Sequence, residues 1–190
     1  MRIEEEKYLE LVLQTVHRKL EEVQKKLGDN ARDMESMNDY FWENYAEFDE
    51  YGYEMFDNKM ALKTRLTQQE EYRRDRKRYE KMLDAPYFGR VDFRYDGDEE
   101  PEVYYIGVGN LTEDHGKGAY VYDWRAPVSG LFYDYDKGKA SFQAPAGVME
   151  GEITRKRQYK IRDGRLVFAL ETEMNIDDEI LQQTLSENGD

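Results

Sequence analysis

The residues best suited to chemistry are carboxylates and aromatic rings that alternate within one short segment. Residues 38–58 read NDYFWENYAEFDEYGYEMFDN and contain neither Lys nor Arg. Carboxylates held close together repel one another unless a cation, a basic cavity or a metal ion offsets their charge. Rings beside them offer contact area at a small entropy cost. The segment therefore predicts a partner-binding surface, formed by Asp39, Phe41, Trp42, Glu43, Glu47, Asp49, Glu50 and Glu54. The alternative is a small local core of rings with solvated carboxylates around it.

A second distinctive motif is VYDWRAPVSGLFYDY, at residues 121–135. Alternation along a strand would put Asp123 and Arg125 on one face and Trp124 on the other. Pro127 would end this strand or hold it at a sheet edge. The favoured interpretation is a buried Trp124 with an Asp–Arg pair that fixes the strand end, and a direct ligand role is the alternative. The basic run RKRQYK at 155–160 is expected to be a solvated strand, with phosphate contact as the alternative.

The sequence offers no recognisable catalytic motif. It has no cysteine, which excludes disulfides, thiolate metal sites and cysteine catalysis. The P-loop pattern GxxxxGK[ST] is absent, so ATP hydrolysis by this chain alone is not expected. His17 and His115 are isolated and are expected to be solvated polar residues rather than metal ligands. No catalytic residue, metal site or cofactor is therefore predicted for this chain.

Composition limits the kind of protein these motifs belong to. The 190 residues include 42 acidic and 28 basic side chains, a formal net charge of -14, and only 39% are hydrophobic. This balance predicts a modest core joined to a long, solvated helical element. Overall acidity argues against a simple nucleic-acid binder, because phosphate neutralisation needs clustered Lys and Arg. The absence of a signal peptide and of a long apolar run predicts a cytoplasmic protein without a membrane span.

Two helices are predicted at the N-terminal side. Apolar side chains recur at spacings of four and three, a heptad seam that continues through one asparagine. The seam is Leu9, Leu13, Val16, Leu20, Val23, Leu27, Asn30, Met34, Met37 and Phe41. A weaker seam follows at 58–83 with Leu62, Leu66, Tyr72, Tyr79 and Leu83. We expect an antiparallel coiled-coil hairpin over 1–84 that extends about 45 Å, with its tip near 38–58. The alternative is an ordinary helix pair folded against a core.

A change to short aromatic and β-branched runs follows Pro86, which cannot continue the second helix. Strands are predicted at 102–109, 118–124, 130–136, 139–145, 154–161 and 166–173. Asp163-Gly164 is the strongest hairpin signal. A short helix with Ile176, Ile180, Leu181 and Leu185 on one face is expected at 176–185. The predicted fold is thus α+β, with a small, mainly antiparallel β-module in 85–190.

Several stretches together resemble the N-terminal region of the HelD family. They are LDAPYFGRVDF, YYIGVGNL, YDWRAP, KRQYKI and DDEILQQTL. The resemblance implies part of an ATP-dependent DNA helicase of the UvrD/Rep type, superfamily one, that associates with bacterial RNA polymerase. It further implies that the arm enters the secondary channel of the polymerase and helps release nucleic acid and recycle the enzyme.

The resemblance also implies which activities belong to the parent protein rather than to this chain. The β-module resembles the part of the first motor domain that precedes the nucleotide-binding motifs, which would follow residue 190. ATP, Mg and the main DNA contacts are accordingly expected in the parent protein, and this chain is expected to be a monomer.

Other functions fit parts of the sequence. A stand-alone transcription factor resembling the Gre-type cleavage factors would use a similar acidic coiled-coil tip. A structural adaptor would dimerise through the seam from Leu9 to Phe41. Direct DNA binding would rest on YRRDRKRYEKM at 72–82 and on RKRQYK.

Overall fold

The chain is an α+β protein, as predicted. The computed structural model describes residues 1–45, 52–113 and 118–172, without the side chains of 53–55. Helix α1 is Arg2–Glu43 and helix α2 is Tyr53–Asp84. The chain divides into two units, one made of Met1–Val16 with Lys81–Asp190 and the other of His17–Glu80. Within the described ranges, no helix combines the length and the apolar character needed to cross a membrane.

Helix α1 buries the seam that its apolar spacing predicts. Leu9, Val16, Val23 and Leu27 are buried, and the other apolar members of the seam are half-buried. The spacing of four extends one step further back than predicted, to Glu5, which is also buried. One face of the first turns of α1 is therefore packed against the interior, while most other residues of these turns are exposed.

Helix α2 differs from its predicted seam at one position. Leu66 is exposed, whereas Gln69 is buried. The amide of Gln69 takes the inward position because its Oε1 accepts a hydrogen bond of 2.7 Å from Asn30 Nδ2 on α1. The same Nδ2 donates to the Arg65 carbonyl oxygen at 2.9 Å, and Gln69 Nε2 donates to the Leu27 carbonyl oxygen at 3.4 Å. A polar layer thus interrupts the apolar contact between the two helices.

The remaining elements form a seven-stranded, mostly antiparallel sheet. Its strands are β1 (Tyr87–Tyr95), β2 (Glu102–Gly107), β3 (Leu111–Thr112), β4 (Ala119–Asp123), β5 (Gly138–Ala144), β6 (Gly147–Arg162) and β7 (Arg165–Glu171). The order is β3-β4-β2-β1-β6-β5, and β7 also pairs with β6. Only the contact of β2 with β4 is parallel among the described strand pairs. The prediction of a mainly antiparallel module is confirmed.

The turn at Asp163-Gly164 is the predicted two-residue hairpin between β6 and β7. Both residues have positive φ, 52° and 72°, as a type I′ turn requires. The Asp163 N–H donates to Asp84 Oδ1 at 2.6 Å, and the Gly164 N–H donates to the Asp84 carbonyl oxygen at 2.9 Å. The last residue of α2 is therefore attached to this turn.

The predicted strand at 130–136 is wrong. Pro127–Ser129 is a 3₁₀ helix, and Gly130–Asp134 continues as a short helix, α3. Leu131 and Phe132 are adjacent and both buried, which a strand with only one buried face cannot achieve. They pack into the core with Val91, Phe93, Ala140, Ile106 and Ile153. The helix predicted at 176–185 lies outside the described residues.

Candidate functional site

The predicted binding segment lies at the end of α1 and the start of α2. Asp39, Trp42 and Glu43 are exposed, and Phe41 is half-buried. Glu47, Asp49 and Glu50 lie outside the described residues, as does the side chain of Glu54, whose backbone belongs to α2. The structure thus describes four of these eight predicted side chains, and all four lie in the last two turns of α1.

The described rings of this segment contact one another yet remain open to solvent. Phe41 packs edge-on against Trp42 at 5.3 Å and Tyr45 at 5.6 Å between ring centroids. Trp42 and Tyr45 stack at 6.1 Å. Trp42 is 66% exposed, and Tyr40, Tyr45 and Phe56 are each more than half exposed. The rings therefore form a contiguous aromatic surface, which we call the ring cluster (Phe41, Trp42 and Tyr45), rather than an enclosed core.

The carboxylates beside the ring cluster are solvated. Asp39, Glu43 and Asp57 are exposed, and none of them forms an ion pair with another residue that the structure describes. Among the described residues, no group of three or more His, Cys, Asp or Glu side chains is placed to hold a metal ion. The described part of the segment thus combines exposed rings with uncompensated negative charge.

The motif at 123–127 forms a tight turn at the end of β4. Asp123 accepts hydrogen bonds from Arg125 Nε at 3.0 Å, Arg125 Nη2 at 2.8 Å and the Arg125 backbone N–H at 2.8 Å. The Asp–Arg pair that the sequence suggested is present. Pro127 starts the 3₁₀ helix, four residues after the strand ends. Ser129 Oγ donates to the Asp123 carbonyl oxygen at 2.7 Å.

Trp124 does not occupy the buried position expected for it. It is 50% exposed, and the Arg125 guanidinium lies 5.8 Å from its ring centre. The expectation assumed that the strand continues through the motif, but β4 ends at Asp123. Beyond that point, the Trp124 N–H donates to the Gly107 carbonyl oxygen at 2.9 Å, which fixes the turn. Alternation between two faces no longer applies once the backbone turns.

A buried charge network, absent from the sequence expectations, joins α1 to the sheet. Glu5 is only 1% exposed. Its Oε1 accepts from Arg157 Nη1 at 2.6 Å and from Arg90 Nη1 at 2.9 Å, and its Oε2 accepts from Tyr105 at 3.2 Å. Arg90 also donates to both carboxylate oxygens of Asp92, at 2.7 and 3.0 Å. We call these residues, together with Glu171 on β7, the Glu5 network.

The outer part of the Glu5 network lies on β6 and β7. Arg157 is 4% exposed, and its Nε donates to Glu171 Oε1 at 3.2 Å. Arg155 Nε lies 2.7 Å from the same oxygen. Burial disfavours the Arg90 cation, but its hydrogen bonds to Asp92 more than offset this and raise the Arg90 pKa. Arg90 and Arg157 are fixed cations in the interior, whereas Arg155 is partly exposed.

Tyrosine rings enclose the Glu5 network. Tyr8 stacks on Tyr105 at 3.9 Å, and Tyr87 packs edge-on against Tyr105 at 4.9 Å and Tyr159 at 5.4 Å. Tyr8 also donates a 2.6 Å hydrogen bond to the Tyr120 carbonyl oxygen. Burial raises the pKa of Tyr8, Tyr87, Tyr105 and Tyr159. The centre of the network around Glu5 is therefore buried, and its phenols are neutral.

The Glu5 network also corrects the prediction for the basic run at 155–160. The run is part of β6, but it is not simply solvated. Arg157 is buried in the network, and Lys156 Nζ donates to the Tyr135 carbonyl oxygen at 2.8 Å. Burial lowers the pKa of Lys156. The signal that could have identified Glu5 is its phase, four residues before Leu9 on the buried seam.

Of the two histidines, the structure describes one. His17 is exposed on α1, as expected, and His115 lies outside the described residues.

The sequence matches the family described as DNA helicase IV HelD, N-terminal domain, over residues 2–186. No curated protein matches the sequence significantly.

Proposed function

The chain belongs to the family of HelD N-terminal domains, and from that membership we propose that it is the N-terminal part of an ATP-dependent DNA helicase that acts on bacterial RNA polymerase. In this proposal α1 and α2 form an arm that enters the secondary channel of the polymerase. The arm helps release nucleic acid and recycle the enzyme. ATP hydrolysis, Mg binding and the main DNA contacts belong to the parent protein.

The observation that carries the proposal is the ring cluster together with the exposed carboxylates of Asp39 and Glu43. Trp and Tyr are enriched among the residues that dominate binding energy at protein interfaces, and Trp42 is two-thirds exposed. Asp39 and Glu43 are close in sequence to these rings and would favour a basic cavity. Together they offer apolar contact and electrostatic attraction to one partner surface.

Contacts within the unit His17–Glu80 support the arm as an antiparallel coiled-coil hairpin. Residues later in α1 meet residues earlier in α2. Lys26 lies 6.0 Å from the Tyr72 ring centre, Asn30 binds Gln69, and Asp33 pairs with Arg65 at 3.2 Å. Val23 and Leu27 are buried within a single chain, and the Leu27 carbonyl oxygen accepts from Gln69 of α2, so this pairing favours a monomer over an adaptor that dimerises through the same seam. Light scattering of the purified chain would test this: we expect a monomer at all concentrations.

The central experiment measures binding of the chain to purified core RNA polymerase. Replacing Trp42 and Tyr45 by Ala should weaken binding by at least about thirtyfold, because even one anchor of this kind contributes about 2 kcal/mol. A second variant neutralises the six predicted carboxylates. Its substitutions are Asp39→Asn, Glu43→Gln, Glu47→Gln, Asp49→Asn, Glu50→Gln and Glu54→Gln. This variant should bind more weakly and with a smaller dependence on salt.

The control removes the same amount of charge from exposed positions elsewhere on the two helices. Its substitutions to Gln are at Glu4, Glu10, Glu21, Glu35, Glu70 and Glu71. Circular dichroism verifies that every variant keeps its helices. Equal loss of affinity in both neutralised variants would show that binding depends on net charge alone. Unchanged affinity in the segment variants would refute the proposal.

A further inference from the structure

The unit His17–Glu80 carries a basic region as well as the acidic and aromatic segment. Residues 17–26 of α1 and 72–80 of α2 together contain nine basic and four acidic side chains. By contrast, residues 38–58 contain seven acidic side chains and no Lys or Arg. The positive region is an exception in a chain whose formal net charge is -14. We call residues 17–26 and 72–80 the basic belt.

The fold brings the two halves of the basic belt together, although 45 residues separate them in the sequence. Lys26 Nζ lies 6.0 Å from the ring centre of Tyr72. A cleft of about 130 Å³ is lined by Lys19 and Lys26 from α1 and by Tyr72 and Tyr79 from α2, among others. The belt is therefore one surface, formed by the pairing of α1 with α2.

Local ion pairs compensate only part of the charge of the basic belt. These pairs are Arg18 with Glu22 at 3.3 Å, Arg76 with Glu80 at 3.8 Å and Arg78 with Asp75 at 3.1 Å. Four exposed cations form no ion pair with another residue in the part of the chain that the structure describes, namely Lys25, Arg73, Arg74 and Lys77. Arg73 and Lys77 lie four residues apart on α2, a spacing at which like charges repel. An anionic partner would relieve this repulsion.

The basic belt and the acidic segment lie at a fixed distance from each other on α1. Lys25 and Glu43 are 18 residues apart within one continuous helix, Arg2–Glu43. At ~1.5 Å per residue, this separation corresponds to about 27 Å along the helix axis. A partner that contacts both regions must therefore present a basic surface and an acidic surface about 27 Å apart.

Two observations favour an acidic protein surface over nucleic acid as the partner of the belt. Tyr72 and Tyr79 are half-buried and already contact Lys26 and Arg78, at 6.0 and 4.9 Å, so their rings are not free to stack on bases. Duplex DNA carries one charge per ~1.7 Å, and a strand that followed the helices from the belt would meet the seven carboxylates of 38–58. A protein surface can instead change its sign of charge between the two regions.

We propose that the basic belt docks on an acidic surface of the same protein that receives the acidic segment. The inference rests on the proposed function, which identifies that protein as RNA polymerase. The contact positions the two helices along their length. Deeper entry would bring the belt cations towards the basic cavity, where like charges repel, so the belt also limits how far the helices enter.

The kinetics of binding to purified core RNA polymerase test the role of the belt. A variant in which the four unpaired cations are neutralised should associate about tenfold more slowly at low salt and with a smaller dependence on salt, because complementary charges accelerate encounter. Its substitutions are Lys25→Gln, Arg73→Gln, Arg74→Gln and Lys77→Gln. Arg73→Lys with Arg74→Lys keeps the charge and should keep the association rate.

The matched control removes four exposed cations from the sheet. Its substitutions are Lys139→Gln, Lys160→Gln, Arg162→Gln and Arg165→Gln. This control changes the net charge by the same amount and should leave the association rate within about twofold of the unmodified chain. Circular dichroism verifies that both neutralised variants keep their helices.

Carbodiimide cross-linking tests the chemistry of the partner surface. The reagent joins an amine to a carboxylate that is in direct contact with it. Lys25 and Lys77 should therefore form amide bonds with Asp or Glu side chains of the polymerase, which mass spectrometry of the cross-linked peptides would identify.

The outcomes separate the belt from the proposed function. An unchanged association rate in the belt variant, with weaker binding only in variants of the acidic segment, would overturn the belt proposal and leave the proposed function intact. Binding that depends on neither region would contradict both. Equal losses in the belt variant and its control would show an effect of net charge alone and would overturn the belt proposal. Belt-dependent binding of a free DNA duplex, without cross-links to the polymerase, would assign the belt to nucleic acid and also contradict it.

Discussion

Replacing Glu5 is the most informative single perturbation of the fold. Its carboxylate is buried and accepts hydrogen bonds from Arg90, Arg157 and Tyr105. Glu5→Gln keeps the shape of the side chain and removes the charge. Arg90 then keeps Asp92 as an anionic partner and Arg157 keeps Glu171, whereas the Gln amide oxygen can still accept a hydrogen bond but carries no negative charge. The variant therefore leaves a buried guanidinium with too little compensating charge.

The expected loss follows from the burial of both partners. Breaking a buried ion pair by removing one partner costs about 3–5 kcal/mol, because the remaining charge stays desolvated. Such a loss is a large fraction of the ~5–15 kcal/mol by which domains are usually stable. In Glu5→Leu with Arg157→Met, the whole pair becomes apolar, and most of the lost stability should return. The double variant should therefore be more stable than Glu5→Gln.

The assay is urea unfolding, followed by the near-ultraviolet circular dichroism of the tyrosines that enclose the network. The matched control is Glu6→Gln, the same chemical change at the next residue. The Glu6 side chain is 53% exposed and pairs with Arg2 one turn away, so its loss should cost about 0.3–0.5 kcal/mol. A difference below about 1 kcal/mol between the two variants would refute the reasoning that the Glu5 network holds α1 on the sheet.

Three further predictions concern titration, the polar layer and the hairpin turn. Burial raises the pKa of Tyr8, Tyr87, Tyr105 and Tyr159 above the ordinary 10.0. The stability that these neutral tyrosines contribute is therefore complete below pH 10.0. Above pH 10.0 the tyrosines ionise only in the unfolded chain, so the free energy of unfolding falls by about 1.4 kcal/mol per pH unit for each tyrosine. Urea unfolding at about pH 9 and pH 11 measures this, and equal stability at the two values would contradict it. Asn30→Leu combined with Gln69→Leu should raise the unfolding midpoint and admit alternative helix registers, which concentration-dependent light scattering would detect. Asn30→Leu alone leaves Gln69 without its main hydrogen-bond partner and should lower the free energy of unfolding by about 1–3 kcal/mol. Gly164→Ala should lower the thermal unfolding midpoint more than Gly97→Ala does. Both glycines have positive φ, but only at Gly164 would the new Cβ approach the Leu83 carbonyl oxygen, at 3.2 Å. Equal effects would show that backbone strain alone determines the loss of stability.

Local patterns in the sequence predicted much of the architecture. The spacing of Leu9, Val16 and Val23 identifies α1 because the period of a helix is a local property. Asp163-Gly164 identifies the hairpin because both residues tolerate the positive φ that the turn needs. The same reasoning failed at 130–136, where aromatic alternation resembled a strand although the preceding Pro127 starts a helical turn.

The sequence likewise predicted the candidate surfaces only in part. Composition alone indicated the acidic and aromatic segment, since rings and carboxylates without cations can be counted in the sequence. Whether its rings are enclosed or open depends on what packs around them, and the exposure of Trp42 and Tyr45 answers this for the described part. The exposure of Trp124 was not predictable, because it depends on the β4 backbone ending at Asp123.

The sequence by itself determined the helix periods, the turn chemistry, the absence of cysteine and a charge that is strongly negative. Only the tertiary structure decided which of the many charged side chains are buried. Glu4, Glu5 and Glu6 are chemically identical, yet only Glu5 meets Arg90 and Arg157, which lie 85 and 152 residues away along the chain. Such partners are selected by the register of strands against a helix, a relationship that no local pattern of residues contains.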